Sequence, residues 1–244
     1  MFRLPKQSKP DRFSLRIAKI LDPLAVIPWG GLAVGYLGVP IVVEYSPISK
    51  ENWFVVQDDD LKSAIEKLTS AGFKPSSVDR SPSPEVMAQL SNPQKVLDEI
   101  NAEWKRFDQS CAIFDYPQDD QTEKEQELQV ILLRASFARI STGDASGSSD
   151  KKAMKRFETS GNIHYPLEPA LVESFVKAAI DEEKGNGFTE CFRAITCWIE
   201  MMNEYLEVNN DILDDCQDEQ AVAWFSRNFG RIHEAKHGPT DRRI

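Results

Sequence analysis

Apolar residues recur along the chain in short bursts whose period changes from segment to segment, and each change marks a new element. Phe13, Ile17, Ile20 and Leu21 share one side of a helix running from Asp11 to about Leu21. The ten residues before it are basic and contain proline, and they read as a mobile arm. Val26-Ile27-Pro28-Trp29 is an apolar approach to Gly30-Gly31. Leu32 to Leu37 predicts a short helix stopped at Gly38, with Pro40 beyond it as a breaker. Ile41 to Glu44 and Trp53 to Val56 are brief β-branched or aromatic runs bounded by turn residues, hence two strands joined by the loop Tyr45 to Asn52. Leu61, Ala64, Ile65 and Leu68 form a helical stripe that ends at Gly72.

Further along, Ser76 to Pro84 is a Ser/Pro loop and Pro93 to Phe107 is helix-like. Cys111 to Phe114 and Leu128 to Leu133 read as strands, the second an unbroken apolar run suited to burial on both faces. The acidic stretch Asp115 to Glu127 joins them. Ser141 to Asn162 is low in complexity and reads as flexible. From Glu168 onward helical spacing dominates: Leu171, Phe175, Ala178 and Ala179; then Phe192, Ile195, Ile199, Met202 and Leu206; then Ala221, Trp224, Phe225 and Phe229. These aromatic stripes sit at core spacing. The reading divides the chain into an arm and helix (1–22), an α/β domain (23–140), a flexible loop (141–163) and a helical region (164–244).

A chain of 244 residues, 41% hydrophobic and 28% charged, buries a sizeable core without disulfides or a structural metal. The net charge of -10 argues against a nucleic-acid coat, which needs a basic field. Acidic faces such as Asp211, Asp214, Asp215, Asp218 and Glu219 read as solvated, and as a partner surface they would suit a basic protein. Leu24 to Val43 is a run of twenty residues without a charge, following several basic ones, but Pro28, Pro40, Gly30, Gly31, Gly35 and Gly38 break it into pieces too short to span a bilayer. We therefore expect no membrane anchor and an intracellular, cytoplasmic protein. Cys111, Cys191, Cys197 and Cys216 show no paired spacing and read as reduced thiols. His233-Glu234-Ala235-Lys236-His237 has zincin spacing, but only seven residues follow it, so no third ligand is at hand downstream and a solvated helix end is the better reading.

Trp29-Gly30-Gly31-Leu32-Ala33, Gly38-Val39-Pro40-Ile41-Val42-Val43, Trp53-Phe54-Val55-Val56-Gln57-Asp58 and Ala64 to Phe73 together resemble the opening of the nucleotidyltransferase-like superfamily. The closer resemblance is to uncharacterised fungal proteins of that fold, with echoes in Val130-Ile131-Leu132-Leu133 and His164-Tyr165-Pro166-Leu167. The resemblance implies an α+β protein: a small mixed sheet of nucleotidyltransferase type flanked by helices, followed by a helical C-terminal region. In active members a glycine pair, here Gly30 and Gly31, lets backbone N–H groups approach nucleotide phosphates. An Asp-x-Asp on the next strand and a third carboxylate then hold two Mg²⁺ ions with a nucleoside triphosphate.

The acids here depart from that pattern. Glu44 is followed by Ser46 at the next same-face position, and Glu51 by Trp53. Asp58, in the run Asp58-Asp59-Asp60, sits where a helix N-cap belongs, and Asp115 before Tyr116-Pro117 is an ordinary turn initiator. These four are the candidate metal ligands. Gly30 and Gly31 also have a packing role open to them, since Gly31, Gly35 and Gly38 would allow a helix to approach a sheet closely. The expectation is a catalytically degenerate binding or scaffold module with a nucleotide or protein partner. The alternatives are an active, divergent Mg-dependent nucleotidyltransferase, and a helical protein-interaction module recognisable by an exposed apolar patch on its C-terminal helices.

Overall fold

The computed structural model describes residues 4–40, 51–77, 80–117, 129–145, 156–206, 208 and 210–230. The expected strand Ile41 to Glu44, and His233 and His237, lie outside them. Helix α1 (Arg12–Leu21) leads into β1 (Ile27–Trp29), α2 (Gly31–Tyr36), β2 (Glu51–Val56) and α3 (Leu61–Ser70). Then come β3 (Lys74–Pro75), α4 (Pro84–Gln89), α5 (Pro93–Glu103), α6 (Lys105–Asp108), β4 (Cys111–Asp115), β5 (Gln129–Arg134) and α7 (Ala135–Ala138). A hairpin of β6 (Phe157–Ser160) and β7 (Ile163–Pro166) precedes α8 (Glu168–Asn186), α9 (Glu190–Leu206) and α10 (Glu219–Phe229).

The five main strands form one mixed sheet in the order β1-β2-β5-β4-β3, with β2 and β5 parallel and the other neighbours antiparallel. Side chains alternate across it. Phe54, Val56, Val130, Leu132 and Phe114 face α1 and α3, where they meet Ile17, Leu21, Leu61, Ala64 and Leu68. Trp53, Val55, Ile131 and Leu133 face the other way, into a larger core filled from α2, α7, α8, α9 and α10. Val130 to Leu133 are therefore buried on both faces, as the unbroken apolar run of β5 predicts. Among the described residues no helix is long and apolar enough to cross a membrane.

Local chemistry starts the helices where the sequence places them. Asp11 caps α1, its carboxylate accepting from the backbone N–H of Phe13 and Ser14, both at 2.9 Å. Asp218 caps α10 in the same way through Gln220 and Ala221, and so is not simply a solvated charge. Asp211, Asp214, Asp215 and Glu219 are exposed.

Two expectations need correction. The basic arm is docked from Leu4 onward: Leu4 N–H donates to the Gly38 carbonyl and Gln7 N–H to that of Tyr36, each at 2.9 Å, while Lys6 pairs with Glu158 at 2.9 Å. The end of a six-residue helix offers carbonyls with no partner of their own, and the arm supplies donors for them. The segment expected to be one flexible loop contains β6 and most of its hairpin. Ser160 opposes Ile163 across Gly161-Asn162, with Gly161 at φ +62, the two-residue turn that glycine in first position permits. Asn162 fastens this hairpin to the sheet side, its amide donating to the carbonyls of Ala18 at 2.9 Å and Leu24 at 2.8 Å. The helices after it pack into the same core as the sheet, so no break in packing accompanies the change of pattern near residue 165.

Candidate functional site

Pairing register places the sequence candidates. Glu51 opposes Gln129, and Gln129 opposes Asp115, so the three form one row across β2, β5 and β4 on the face that carries Trp53. Because Trp29 opposes Trp53 in antiparallel register, Gly30 and Gly31 leave β1 at this same end of the sheet. Glu51, Asp115 and the glycine pair are thus brought to one end. The backbones of Glu51 and Asp115 are two strand spacings apart, about 9–10 Å. Asp58 lies at the opposite end of β2, where its carboxylate accepts from the Ser136 N–H at 2.9 Å and so caps α7. Glu44 lies outside the described residues.

Each placed acid already has a protein partner. The Trp53 indole N–H donates to Glu51 Oε2 at 2.8 Å, and the Gln129 amide donates to Asp115 Oδ1 at 2.9 Å. Burial raises the Glu51 carboxyl to about 7, against the opposing pull of the Trp53 hydrogen bond and the Arg80 charge. Arg80 makes a two-pronged ion pair with Asp108 at 2.8 and 2.9 Å and lies over the Trp104 ring, 4.6 Å from its centroid. Burial, helped by Asp108, also pushes the nearby Cys111 thiol up to about 12, so it stays protonated at neutral pH.

Trp53 stands two residues after Glu51 on the same face of β2, and its ring is built into an aromatic cluster. It stacks on Trp29 at 5.7 Å and meets Phe107 at 4.6 Å and the edge of Trp198 at 5.1 Å. Trp198, from α9, also fills the space beside the glycine turn: a Cβ on Gly30 would stand 2.8 Å from its ring. Gly30, at φ +62, therefore answers to close packing against an indole on its Cα side. The Trp29 indole N–H donates to Ser174 Oγ at 2.8 Å, and Ser174 in turn donates to the Ala138 carbonyl, so the cluster is tied to α7 and α8.

Two Mg²⁺ ions bring four positive charges and need carboxylate oxygens that converge on them. The placed candidates do not fit that requirement. Glu51 turns to an indole, Asp115, two strands from it, to the amide of Gln129 on the strand between them, and Asp58 to a backbone N–H at the far end of the sheet. Among the described residues, no group of three or more His, Cys, Asp or Glu is placed to hold a metal ion.

A second feature lies at the carboxyl ends of the parallel strands β2 and β5, the position at which open α/β sheets take ligands. An open cleft of about 420 Å³ is lined there by Gln57, Asp58, Asp59, Ser136, Arg139, Ser141 and Lys177, among others. Arg139, in the left-handed region at φ 55, pairs with Asp181 at 2.6 Å, and Lys177 pairs with Glu173 at 2.6 Å. Sequence reasoning found only Asp58 of this group. The others come from three separate segments with no shared motif: the parallel pairing of β2 with β5 brings two of them together, and the packing of α8 against α7 adds Lys177. No family model, no curated protein and no solved structure matches this chain.

Proposed function

We propose that this protein is a binding module of nucleotidyltransferase-like type that does not turn its ligand over, and that the ligand site is the cleft at the carboxyl ends of β2 and β5. One observation carries the reading: Trp53, two residues after Glu51 on the same face of β2, is an indole locked between Trp29, Phe107 and Trp198, with Trp198 seated against Gly30. If Glu51 is the first acid of the nucleotidyltransferase pattern, an aromatic ring replaces the second, and Trp198 crowds the glycine turn. The polar cleft at the other end of β2 offers Arg139, Lys177, two serines and the Gln57 amide to a polar ligand of nucleotide size.

The active alternative draws support from the shared row of Glu51, Gln129 and Asp115 beside the glycine turn. The interaction-module alternative expects an apolar patch on the C-terminal helices. Among the described residues the large exposed hydrophobics are Leu4, Leu15, Val86 and Phe188, which come from four separate segments.

Thermal melting with a panel of nucleoside triphosphates, with and without Mg²⁺, separates these readings, because a ligand at a hundred times its Kd adds about 2.7 kcal/mol of stability. The binding module predicts a shift that Lys177→Met removes and Glu51→Gln leaves in place, with no triphosphate consumed. A Mg²⁺-dependent shift lost in Glu51→Gln, with consumption of triphosphate, would instead establish the active enzyme.

A further inference from the structure

The loop between β3 and α4 carries a feature that neither the sheet nor the cleft uses: Arg80-Ser81-Pro82-Ser83-Pro84, with two serines each directly followed by proline. Both serines are exposed. A proline disfavours the helical conformation in the residue before it, and Ser83 is extended at φ -55 and ψ 151. Ser81-Pro82 lies exposed ahead of α4, open to a protein-kinase groove that reads the following proline, whereas Ser83-Pro84 starts that short helix, Ser83 Oγ capping it by accepting from the Val86 N–H at 3.4 Å. The residue ahead of the pair has a different setting. The Arg80 side chain is only 11% exposed, and it holds this loop to α6 through Asp108 and the face of Trp104.

We propose that Ser81-Pro82 and Ser83-Pro84 are a paired phosphorylation site for a proline-directed protein kinase, and that a phosphate on Ser81 takes Arg80 away from Asp108. In the reaction the serine Oγ gives its proton to the kinase's carboxylate base and forms a bond to the γ-phosphorus of the nucleoside triphosphate. The bond from that phosphorus to its bridging oxygen breaks, and the nucleoside diphosphate leaves. The product carries about -1.5 to -2 charges and three acceptor oxygens next to a guanidinium, against the single charge of the Asp108 carboxylate. Once Arg80 moves, Trp104 loses its cation and the loop loses its hold on α6. This site stands apart from the β2–β5 cleft, so its test does not depend on the function proposed above.

The test treats the full chain with a purified proline-directed serine/threonine kinase, Mg²⁺ and ATP, and maps the phosphate by peptide mass spectrometry. The expected result is label on Ser81, Ser83 or both, which falls to background in the Pro82→Ala/Pro84→Ala double variant although both hydroxyls remain. Label confined to Ser46, the serine of the chain's other Ser-Pro dipeptide, or to any site outside 81–83, overturns the proposal. So does labelling of 81–83 only after the protein has been heat-unfolded. The Arg80 contact is read from melting temperatures: phosphorylation should shift the wild-type chain and leave Arg80→Met unmoved. Asp108→Asn, which also breaks the ion pair, should show a smaller shift than wild type. An equal shift in all three overturns the capture of Arg80.

Discussion

Glu51 begins β2 largely covered, and its proton is the residue-scale property most open to measurement. Its folded-state value of about 7 lies above the ordinary 4.5, so between the two the folded chain holds a proton that the unfolded chain has released. The stability this contributes is complete below pH 4.5 and is lost as pH rises through about 7. Glu51→Gln keeps an oxygen for the Trp53 indole and removes the charge. It should therefore gain on the wild type as pH rises, by on the order of 2–3 kcal/mol at pH ~8, in urea denaturation at a series of pH values. Parallel pH profiles for the two proteins would show that Glu51 is not the titrating group. Gly30→Ala tests the other half of the site. The new methyl would meet Trp198 at 2.8 Å on a backbone at φ +62, so a loss of about 2–4 kcal/mol is expected by chemical denaturation. An unchanged midpoint would mean that Trp198 is not packed against the turn.

At the scale of elements, the β6–β7 hairpin shows how one side chain can place a whole segment. Its apolar residues Phe157, Ile163 and Tyr165 are buried, but the Asn162 amide determines where it docks, by bonding two carbonyls near the end of α1. Backbone bonds from Val26 N–H to the Asn162 carbonyl at 2.9 Å and from His164 N–H to the Val26 carbonyl at 2.8 Å complete the attachment. Asn162→Ala should cost about 1–3 kcal/mol, the price of leaving buried acceptors unmet, and should raise amide exchange across 157–166 ahead of the rest of the molecule. Uniform protection in the variant would show that the backbone bonds alone suffice. The hairpin was hidden within a Gly/Ser-rich stretch because its turn, Gly161-Asn162, is flanked by strands of only four residues. Too few apolar positions fall within it to show a period of two.

At the scale of the whole molecule, the helical region and the sheet are joined by charge as well as by aromatic packing. Glu182 on α8 has no exposed side-chain surface and receives the Arg106 guanidinium of α6 at 2.7 Å, while Asp181 bridges Arg106 at 3.4 Å and Arg139 at 2.6 Å. Removing the cation would leave a carboxylate buried beside an unfilled partner site. Arg106→Met should cost about 3–5 kcal/mol in equilibrium unfolding, with sheet and helices still melting together because one core serves both. Two separate transitions would overturn the sharing of this larger core between sheet and helices.

Period and turn chemistry were enough to read most of the elements from the sequence. The α1 and α3 stripes, the doubly buried β5 and the aromatic faces of α8 to α10 are local patterns, fixed by which residues must leave water together. The mixed α+β class and the helical C-terminal region follow from the same patterns. Sequence also shows that neither Glu44 nor Glu51 is followed two residues later by a second acid, since Ser46 and Trp53 stand there. What it could not show was which groups meet. That Glu51, Gln129 and Asp115 share a row depends on strand register, and that Asp58 belongs to a cleft with Arg139 and Lys177 depends on β2 running parallel to β5 and on α8 packing against α7. That Trp198 rests on Gly30 depends on the packing of a helix some 170 residues later in the chain. Each of these is a contact between segments far apart in sequence, chosen by the burial of the whole core, and no local window of residues carries that information.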